Sequence, residues 1–205
     1  MERQANIILS NYRMANPKYT MTQQAIEEEW QLVQAVQKNP ARFSLLYNRY
    51  YEPIMRFIYL RTADEDLCAD LCSHTFMKAL ENISKYKHKG VPFSAWLYAI
   101  ALNEIRQYLR KTDKNPVVTL EDNYVNNFKY EFDNKEELEI NISMLGKIIQ
   151  QLKSDEVTLI ELRYFEDRPF KEVGDILGMT ENNAKVKVHR LILKMKELFN
   201  KLNRE

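Results

Sequence analysis

Residues 169–198 carry the pattern of two helices separated by a short turn, and this pattern restricts the fold more than any other feature of the chain. Pro169 fits the start of a helix, where its missing N–H costs little. Gly178 fits the position after a helix that requires a positive φ, and Thr180 fits the N-cap of the next helix. Two helices joined by about three residues that include glycine have the geometry of a helix-turn-helix.

The second helix of this pair combines an apolar stripe with a polar face. The stripe follows steps of three and four residues and consists of Ala184, Val188, Leu191, Met195 and Leu198. No acidic residue occurs from Asn182 to Lys196. The remaining faces offer amides for base edges and cations for phosphates, so the candidate contacts with duplex DNA are Thr180, Asn182, Asn183, Lys185, Val186, Lys187, His189 and Arg190. An amphipathic helix whose charged face is merely solvated is the alternative interpretation.

The rest of the chain also favours helices over strands. Only four Gly and six Pro occur among 205 residues, and Gly and Pro are the poorest helix formers. Apolar residues at helical spacing predict helices over about 22–39, 43–58, 64–82 and 93–111, and again from residue 138 onward. Thr22 and Ser154 fit the N-caps of the helices that follow them, and Ala79 and Leu80 fit the inner side of the third helix. No apolar run approaches the roughly 18 residues that a membrane span needs. We therefore expect an all-α, cytoplasmic protein without membrane insertion.

Charge divides the chain into two basic parts and one acidic part. Residues 81–114 and 181–205 each contain seven basic and three acidic residues, a net charge of +4. Residues 121–139 contain two basic and seven acidic residues, a net charge of −5. Two basic surfaces joined by an acidic segment suggest two contacts with nucleic acid. The predicted organisation is a flexible extension (1–22), a helical domain (23–112), a linker (113–137) and a second helical domain (138–205).

Aromatic and basic residues alternate over 85–89, between the third and fourth predicted helices. Aromatic rings stack on unpaired bases while cations follow phosphates, so this chemistry suits single-stranded DNA. Polar residues at spacings of three and four extend the same surface along the fourth helix. The candidate residues are Tyr86, Lys87, His88, Lys89, Trp96, Asn103, Arg106 and Arg110. A solvated charged loop is again the alternative.

Catalytic or metal chemistry has little support in the sequence. The three histidines lie in separate segments, and no phosphate-binding loop or catalytic triad is recognisable. Cys68 and Cys72 form one pair without a second pair at zinc-ligand spacing, so we interpret them as small apolar residues on a helix face. We expect a protein that is not an enzyme and needs no cofactor or metal.

Several segments together resemble one protein family. Residues 43–51, 75–80 and 93–103 are similar to the second conserved region of bacterial extracytoplasmic-function sigma factors. Residues 162–173 and 176–190 are similar to the fourth region. The resemblance covers about 25–112 and 140–200, and both regions occur in the family's order.

The resemblance implies a promoter-recognition factor that binds core RNA polymerase. The helix over about 64–80 would dock on the polymerase clamp through Asp64, Asp66, Asp70, Ser73, His74 and Met77. The loop at 84–92 and the helix after it would capture and melt the −10 element, and the helix-turn-helix would read the −35 element. Promoter DNA and the clamp are the implied partners, and an anti-sigma protein is a further one that the family allows. The acidic linker would thread toward the RNA channel of the polymerase.

Three departures from the family pattern affect these expectations. Ser73 and His74 stand where the family often has Gln-Glu, and Asn182 and Asn183 stand where Gly-Thr is frequent. Gln107 stands where the family often has an aspartate. The alternatives are a dimeric helix-turn-helix regulator that binds duplex DNA without polymerase, and an adaptor that binds polymerase without touching DNA. An aromatic–basic loop beside Trp96 favours the sigma factor, since a duplex-only regulator does not need one.

Overall fold

The computed structural model describes residues 21–112 and 142–202, and every regular element within these ranges is a helix. The chain separates into two compact units, Met1–Val117 and Val118–Glu205. The predicted all-α fold is confirmed. The predicted linker (113–137) and nearly all of the predicted N-terminal extension (1–22) lie outside the described residues.

The described part of the first unit consists of the helices α1 (Gln23–Lys38), α2 (Phe43–Thr62), α3 (Glu65–Asn82) and α4 (Phe93–Thr112). Thr22 caps α1 as predicted, because its Oγ1 accepts a hydrogen bond from the Ala25 N–H at 3.2 Å. Asn39 and Pro40 end α1 and begin a short 3₁₀ turn. The helix α2 runs through Pro53 without the break that a proline could have caused there.

The helices α2, α3 and α4 pack against one another around an apolar core. Phe57 of α2 meets Tyr98 of α4 edge to face, with ring centroids 4.6 Å apart. Burial of each large aliphatic side chain stabilises the fold by about 1.5–3 kcal/mol. Fully buried members of this core include Leu46, Ile54, Ile58, Leu97 and Ile105.

Cys68 and Cys72 lie on the buried side of α3. Burial raises the pKa of each thiol to about 12, and for Cys68 the nearby Cys72 and acidic side chains add to this rise. The Cys68 Sγ donates a hydrogen bond to the Met55 carbonyl oxygen at 3.1 Å. A thiol that stays protonated is a poor nucleophile and a poor metal ligand, so both cysteines act as small apolar side chains.

The described part of the second unit consists of α5 (Ile142–Ile149), α6 (Ser154–Ile160), α7 (Phe170–Leu177) and α8 (Glu181–Leu202). A π-helical turn (Glu161–Phe165) continues α6, with the Glu166 N–H donating to the Glu161 carbonyl oxygen at 2.8 Å. The helix α8 packs against α5, α6 and α7. This long helix therefore organises the unit.

The start of α6 differs from the sequence prediction. Ser154 was expected to be the N-cap, but it is the first helical residue and Lys153 precedes it as the cap. Glu156 provides the capping instead, because its Oε2 accepts the Lys153 N–H at 2.8 Å. The same carboxylate accepts two hydrogen bonds from Lys194 Nζ of α8, at 2.9 and 2.7 Å. Glu156 thereby ties the start of α6 to α8.

Acid should weaken the second unit partly through Glu156. Burial opposes ionisation of this carboxyl, but hydrogen bonds from Lys194 and the Lys153 backbone outweigh it, so its pKa is lowered. A lowered folded-state pKa gives stability that is present above the unfolded pKa and is lost as the pH falls through the folded value. Glu156→Gln should therefore destabilise the chain by roughly 0.5–1 kcal/mol at pH 7 and by much less below about pH 4. Urea unfolding of the full chain at both pH values measures this difference.

The matched control for this experiment is Glu197→Gln, at an exposed glutamate of α8. This control should leave the free energy of unfolding close to that of the wild type at both pH values. An equal loss of stability for Glu156→Gln at pH 7 and pH 4 would contradict the role assigned to the ionised carboxylate.

Candidate nucleic-acid interface

The turn between α7 and α8 depends on two glycines. Gly178 ends α7 with φ +67°, in the left-handed region that glycine adopts at no steric cost. Gly174 allows a close approach, because a Cβ at this position would lie 2.7 Å from the Met179 carbonyl oxygen. Thr180 caps α8, and its Oγ1 accepts the Asn183 N–H at 3.2 Å. The sequence prediction of two helices joined by a short glycine-containing turn is confirmed.

A buried ion pair lies at the start of α7. Arg168 is 2% exposed, and its Nη1 donates to Glu172 Oε2 at 3.0 Å. Its backbone N–H donates to the Leu162 carbonyl oxygen at 2.9 Å, which folds the chain back onto the π-helical turn. Burial raises the pKa of Glu172, and the positive charge of Arg168 opposes that rise. Sequence reasoning missed this pair, since arginine and glutamate in a polar segment usually face solvent.

The helix α8 separates a buried stripe from an exposed face. Ala184, Val188, Leu191 and Met195 are buried, as predicted. Leu198 is only half-buried, contrary to prediction, because Phe199 occupies the inward position at the end of the helix. Every predicted DNA contact on α8 is exposed, which places these side chains on one accessible surface: Asn182, Asn183, Lys185, Val186, Lys187, His189 and Arg190.

Lys185 differs from the other cations of this surface. Its Nζ lies 2.7 Å from Glu181 Oε1, one helical turn earlier. Exposed ion pairs of this kind contribute only about 0.3–0.5 kcal/mol, so a phosphate can replace the glutamate as partner. The exposed cations Lys187 and Arg190 have no such neighbour one turn earlier, where Asn183 and Val186 stand.

In the first unit, an aromatic cluster forms around Tyr86, where the chain leaves α3. The Tyr86 ring centroid lies 5.0 Å from that of Trp96 and 5.2 Å from that of Phe93. Lys87 and Lys89 are exposed on the same loop, while His88 is half-buried. Tyr86 and Trp96, two aromatic residues that the sequence pattern singled out, thus lie side by side, with exposed lysines on the same loop.

An open cleft of about 380 Å³ lies beside this cluster, between the end of α3 and the outer side of α4. Three predicted residues line it, namely Tyr86, Trp96 and Asn103, whereas Arg106 and Arg110 are exposed farther along α4. Lys85 and Gln107, which belong to the same sequence pattern, also line it. Sequence reasoning missed three further polar lining residues, because the cleft combines side chains from distant segments: Lys78, Asn82 and Glu104.

The cleft contains a charge pair at its base. Lys78 Nζ of α3 donates to Glu104 Oε1 of α4 at 2.5 Å, and Glu104 is 7% exposed. The pair joins the two helices that form the walls. With Asn82, Asn103 and Gln107 nearby, the cleft offers amide donors and acceptors beside aromatic rings, which is chemistry that can recognise the edge and face of a nucleobase.

A separate exposed face runs along α3. Asp66, Asp70, Ser73, Met77 and Leu80 follow steps of four and three and are all exposed, so they share one side of the helix. Asp64 caps α3 through its Oδ1, which accepts the Leu67 N–H at 3.0 Å. His74 is exposed next to this side.

Of the two residues predicted at the inner end of α3, Ala79 is buried, but the prediction for Leu80 is wrong. Met77 is 52% and Leu80 40% exposed. The Tyr47 ring of α2 adds to this region through its contact with Phe76, at 4.8 Å between centroids. Met and aromatic side chains are enriched in protein–protein interfaces, so this exposed face of α3 is a candidate docking surface.

Two family models match the chain, one in each unit. Sigma-70 region 2 matches residues 46–115, and Sigma-70 region 4 matches residues 142–195. The first of these ranges contains the cleft, the loop and the exposed face of α3, and the second contains α7 and most of α8. Within the part of the chain that the structure describes, no helix is long and apolar enough to cross a membrane.

Individual relatives agree with these models. The chain is 29% identical over 161 residues to the ECF RNA polymerase sigma factor SigM of Bacillus subtilis, covering 76% of this chain and 94% of the relative. It is 25% identical over 164 residues to the RNA polymerase sigma factor YlaC of the same organism, covering 78% and 93%.

Two solved structures share the fold. One is CnrH in complex with the cytosolic domain of CnrY, with a TM-score of 0.55, 18% identity and coverage of 84% of this chain and 97% of that chain. The other is the sigma factor RpoE of Bartonella quintana in complex with the anti-sigma factor NepR, with a TM-score of 0.52, 19% identity and coverage of 77% and 96%. The two matched regions, in this order, and the similar relatives establish that the chain belongs to the extracytoplasmic-function family of RNA polymerase sigma factors, which act in transcription initiation with core RNA polymerase on promoter DNA.

Proposed function

We propose that the two units of this sigma factor divide promoter recognition between them. In the first unit, the outer face of α3 docks on the polymerase clamp, and the loop with its cleft captures the −10 element. In the second unit, the exposed face of α8 reads the −35 element in the major groove. The cleft beside Tyr86 and Trp96 supports this division most directly, since a protein that reads only duplex DNA has no use for it.

Capture of an unpaired base would drive melting without covalent chemistry. Extruding one base from the duplex costs a few kcal/mol, and stacking a base on an aromatic side chain contributes about 1–3 kcal/mol. Tyr86 and Trp96 offer rings for stacking, and Asn103 offers an amide for the base edge. The exposed Lys87 and Lys89 would hold the phosphates of the separated strand. Binding thereby favours the melted state, so no catalytic group or cofactor is needed. A protein with this function would act in the cytoplasm.

On the −35 side, amides and cations of α8 would have different tasks. Asn182 and Asn183 stand in the first turn, where side chains of a recognition helix reach base edges. Val186 is apolar and 40% exposed between them and the cations, so it suits the methyl group of a thymine. Lys187 and Arg190 would bind phosphates and fix the register of the helix.

Removing either phosphate-binding cation should weaken duplex binding without changing its sequence preference. Lys187→Ala and Arg190→Ala should each lower the slope of log affinity against log salt by about 0.9, because one fewer phosphate releases its counterions. Titration of a −35 duplex with the full chain at several salt concentrations measures both affinity and slope. Lys201→Ala, at an exposed lysine in the last turn of α8, is the control. Unchanged slopes in both variants would contradict the assignment of α8 as the −35 reader.

Run-off transcription with purified core RNA polymerase on promoter-containing DNA tests the whole proposal. Specific start sites that depend on this chain would support it. Specific duplex binding by a dimer that forms no complex with polymerase would instead favour a helix-turn-helix regulator. The acidic linker at 113–137 would lie in the RNA channel in the proposed complex. An anti-sigma protein is a further proposed partner, because the solved sigma factor RpoE, which has the same fold, is bound to the anti-sigma factor NepR.

A further inference from the structure

The helix α1 contacts the proposed −10 loop at its beginning and in its middle. Gln37 Nε2 donates hydrogen bonds to the carbonyl oxygens of Ile83 and Tyr86, at 2.8 and 2.9 Å. The Trp30 ring stacks on His88, with centroids 5.3 Å apart and planes inclined by 16°. One amide therefore holds the two backbone groups that set the position of the Tyr86 ring, and one indole supports the tip of the loop.

The same helix also holds the end of the loop. Glu29 is 2% exposed, and its Oε2 accepts the Phe93 N–H at 2.6 Å. Phe93 is the first residue of α4, so a carboxylate from a helix 64 positions earlier in the chain acts as the N-terminal partner of α4. A negative charge at a helix N-terminus is favourable because it meets unsatisfied N–H groups and the positive end of the helix dipole. Arg49 Nη1 lies 3.9 Å from the other oxygen and helps hold the carboxylate in place.

We propose that α1 is a template that holds the loop in its DNA-binding conformation before DNA arrives, with Glu29, Trp30 and Gln37 as positioning residues. The proposal rests on the function proposed above for the loop. Ordering a loop during binding costs free energy that a preordered loop does not lose. With the Tyr86 carbonyl fixed by Gln37 and its ring against Trp96, the cleft keeps its aromatic wall in the free protein.

Trp30 and Gln37 position the loop, whereas other residues of α1 hold the helix in the fold. The helix α1 is held in the fold by Ile26, Val33 and Val36, which are buried in the apolar core. Trp30 and Gln37 are only half-buried, so replacing them removes contacts with the loop while the buried residues still hold α1. Gln34 is exposed on the same helix and provides a matched control for Gln37.

Hydrogen–deuterium exchange of the free full-length chain tests the template directly. In Gln37→Met, which keeps the side-chain length but removes the donor, the amides of residues 86–91 should exchange faster. Trp30→Leu should do the same, and Trp30→Phe should restore slow exchange because it restores a ring to stack on His88. Gln34→Met should match the wild type, and the amides of α1 should remain protected in every variant. Unchanged exchange of the loop in both Gln37→Met and Trp30→Leu would overturn the proposal.

Binding to DNA tests whether the template matters for promoter capture. The probe is a forked DNA whose single-stranded −10 segment has been selected from random sequences by the wild-type holoenzyme with bacterial core polymerase. Loss of two hydrogen bonds should raise the dissociation constant of the Gln37→Met holoenzyme for this probe about tenfold. Affinity for core polymerase and for a −35 duplex should not change, whereas a general loss of structure would weaken all three.

The outcomes separate this proposal from the function on which it rests. If wild-type holoenzyme selects no −10 sequence, the proposed function of the loop is wrong and the template has no role in promoter capture. If wild-type holoenzyme binds the fork but Gln37→Met binds equally well despite faster exchange of the loop, the function stands and the template proposal is wrong. Tenfold weaker fork binding together with faster exchange, reversed in the stacking series by Trp30→Phe, would support it.

Discussion

Met77→Glu should prevent this sigma factor from forming a stable complex with core RNA polymerase while leaving its fold intact. Met77 is 52% exposed in the middle of the outer face of α3, one turn from Leu80 and from the polar Ser73. In the proposed complex this apolar side chain would be desolvated against the clamp, and a glutamate there would lose its hydration without gaining a partner. A change of this kind at the centre of an interface should raise the dissociation constant about 100-fold.

Competition with the wild-type chain for a limiting amount of core polymerase measures this effect. Leu193→Glu is the matched control, because Leu193 is 47% exposed on α8 and lies outside the proposed docking face. Asp70→Arg, on the same face as Met77, should weaken binding by a smaller factor of about ten. If Met77→Glu competes as well as Leu193→Glu, the outer face of α3 is not the docking surface.

Gly174→Ala should disrupt the helix-turn-helix far more than Gly178→Ala. A Cβ on residue 174 would lie 2.7 Å from the Met179 carbonyl oxygen and 3.2 Å from the Glu181 nitrogen, and both are backbone atoms that cannot rotate away. The turn and the start of α8 must shift, which should cost about 2–4 kcal/mol. A Cβ on residue 178 meets no atom within 4 Å, so that change costs only the left-handed φ, about 1 kcal/mol.

The functional consequence follows from the direction of α8. A shift of the turn tilts the whole helix, so Gly174→Ala should reduce affinity for a −35 duplex by more than tenfold, whereas binding of the forked −10 probe should persist. Urea unfolding of the full chain gives the stability of both variants, and duplex titration gives the affinity. Equal stability of the two alanine variants would show that the space around Gly174 does not constrain the turn.

Helix ends were the most predictable part of the fold. Thr22, Asn39, Gly178 and Thr180 act locally, through hydrogen bonds or backbone angles within a few residues, and each lies at the helix end where the sequence places it. Ser154 is the exception, since it is the first helical residue and Lys153 precedes it as the cap. The nearby Glu156 accepts hydrogen bonds both from the Lys153 N–H and from the distant Lys194.

Contacts between distant segments were not predictable from the pattern. Arg168 and Glu172 look like surface residues in the sequence, yet both are buried and paired. The polar lining of the cleft comes from both α3 and α4, and Glu29 of α1 accepts a hydrogen bond at the N-terminus of α4. These residues are far apart in the sequence, and helical periodicity does not indicate which distant residues contact each other. Helical periodicity gives the face of one helix, but the partner of that face depends on how the helices pack.

The two thiols buried in α3 determine how this protein responds to oxidants. They are the only cysteines in the chain, and with a pKa of about 12 roughly one thiol in 10⁵ is ionised at pH 7. Peroxide and alkylating reagents attack the thiolate, so both sulfurs are protected as long as the helix stays packed. The cysteines of the folded protein are therefore poor sensors of oxidants, and a reaction at either sulfur would require α3 to unpack first.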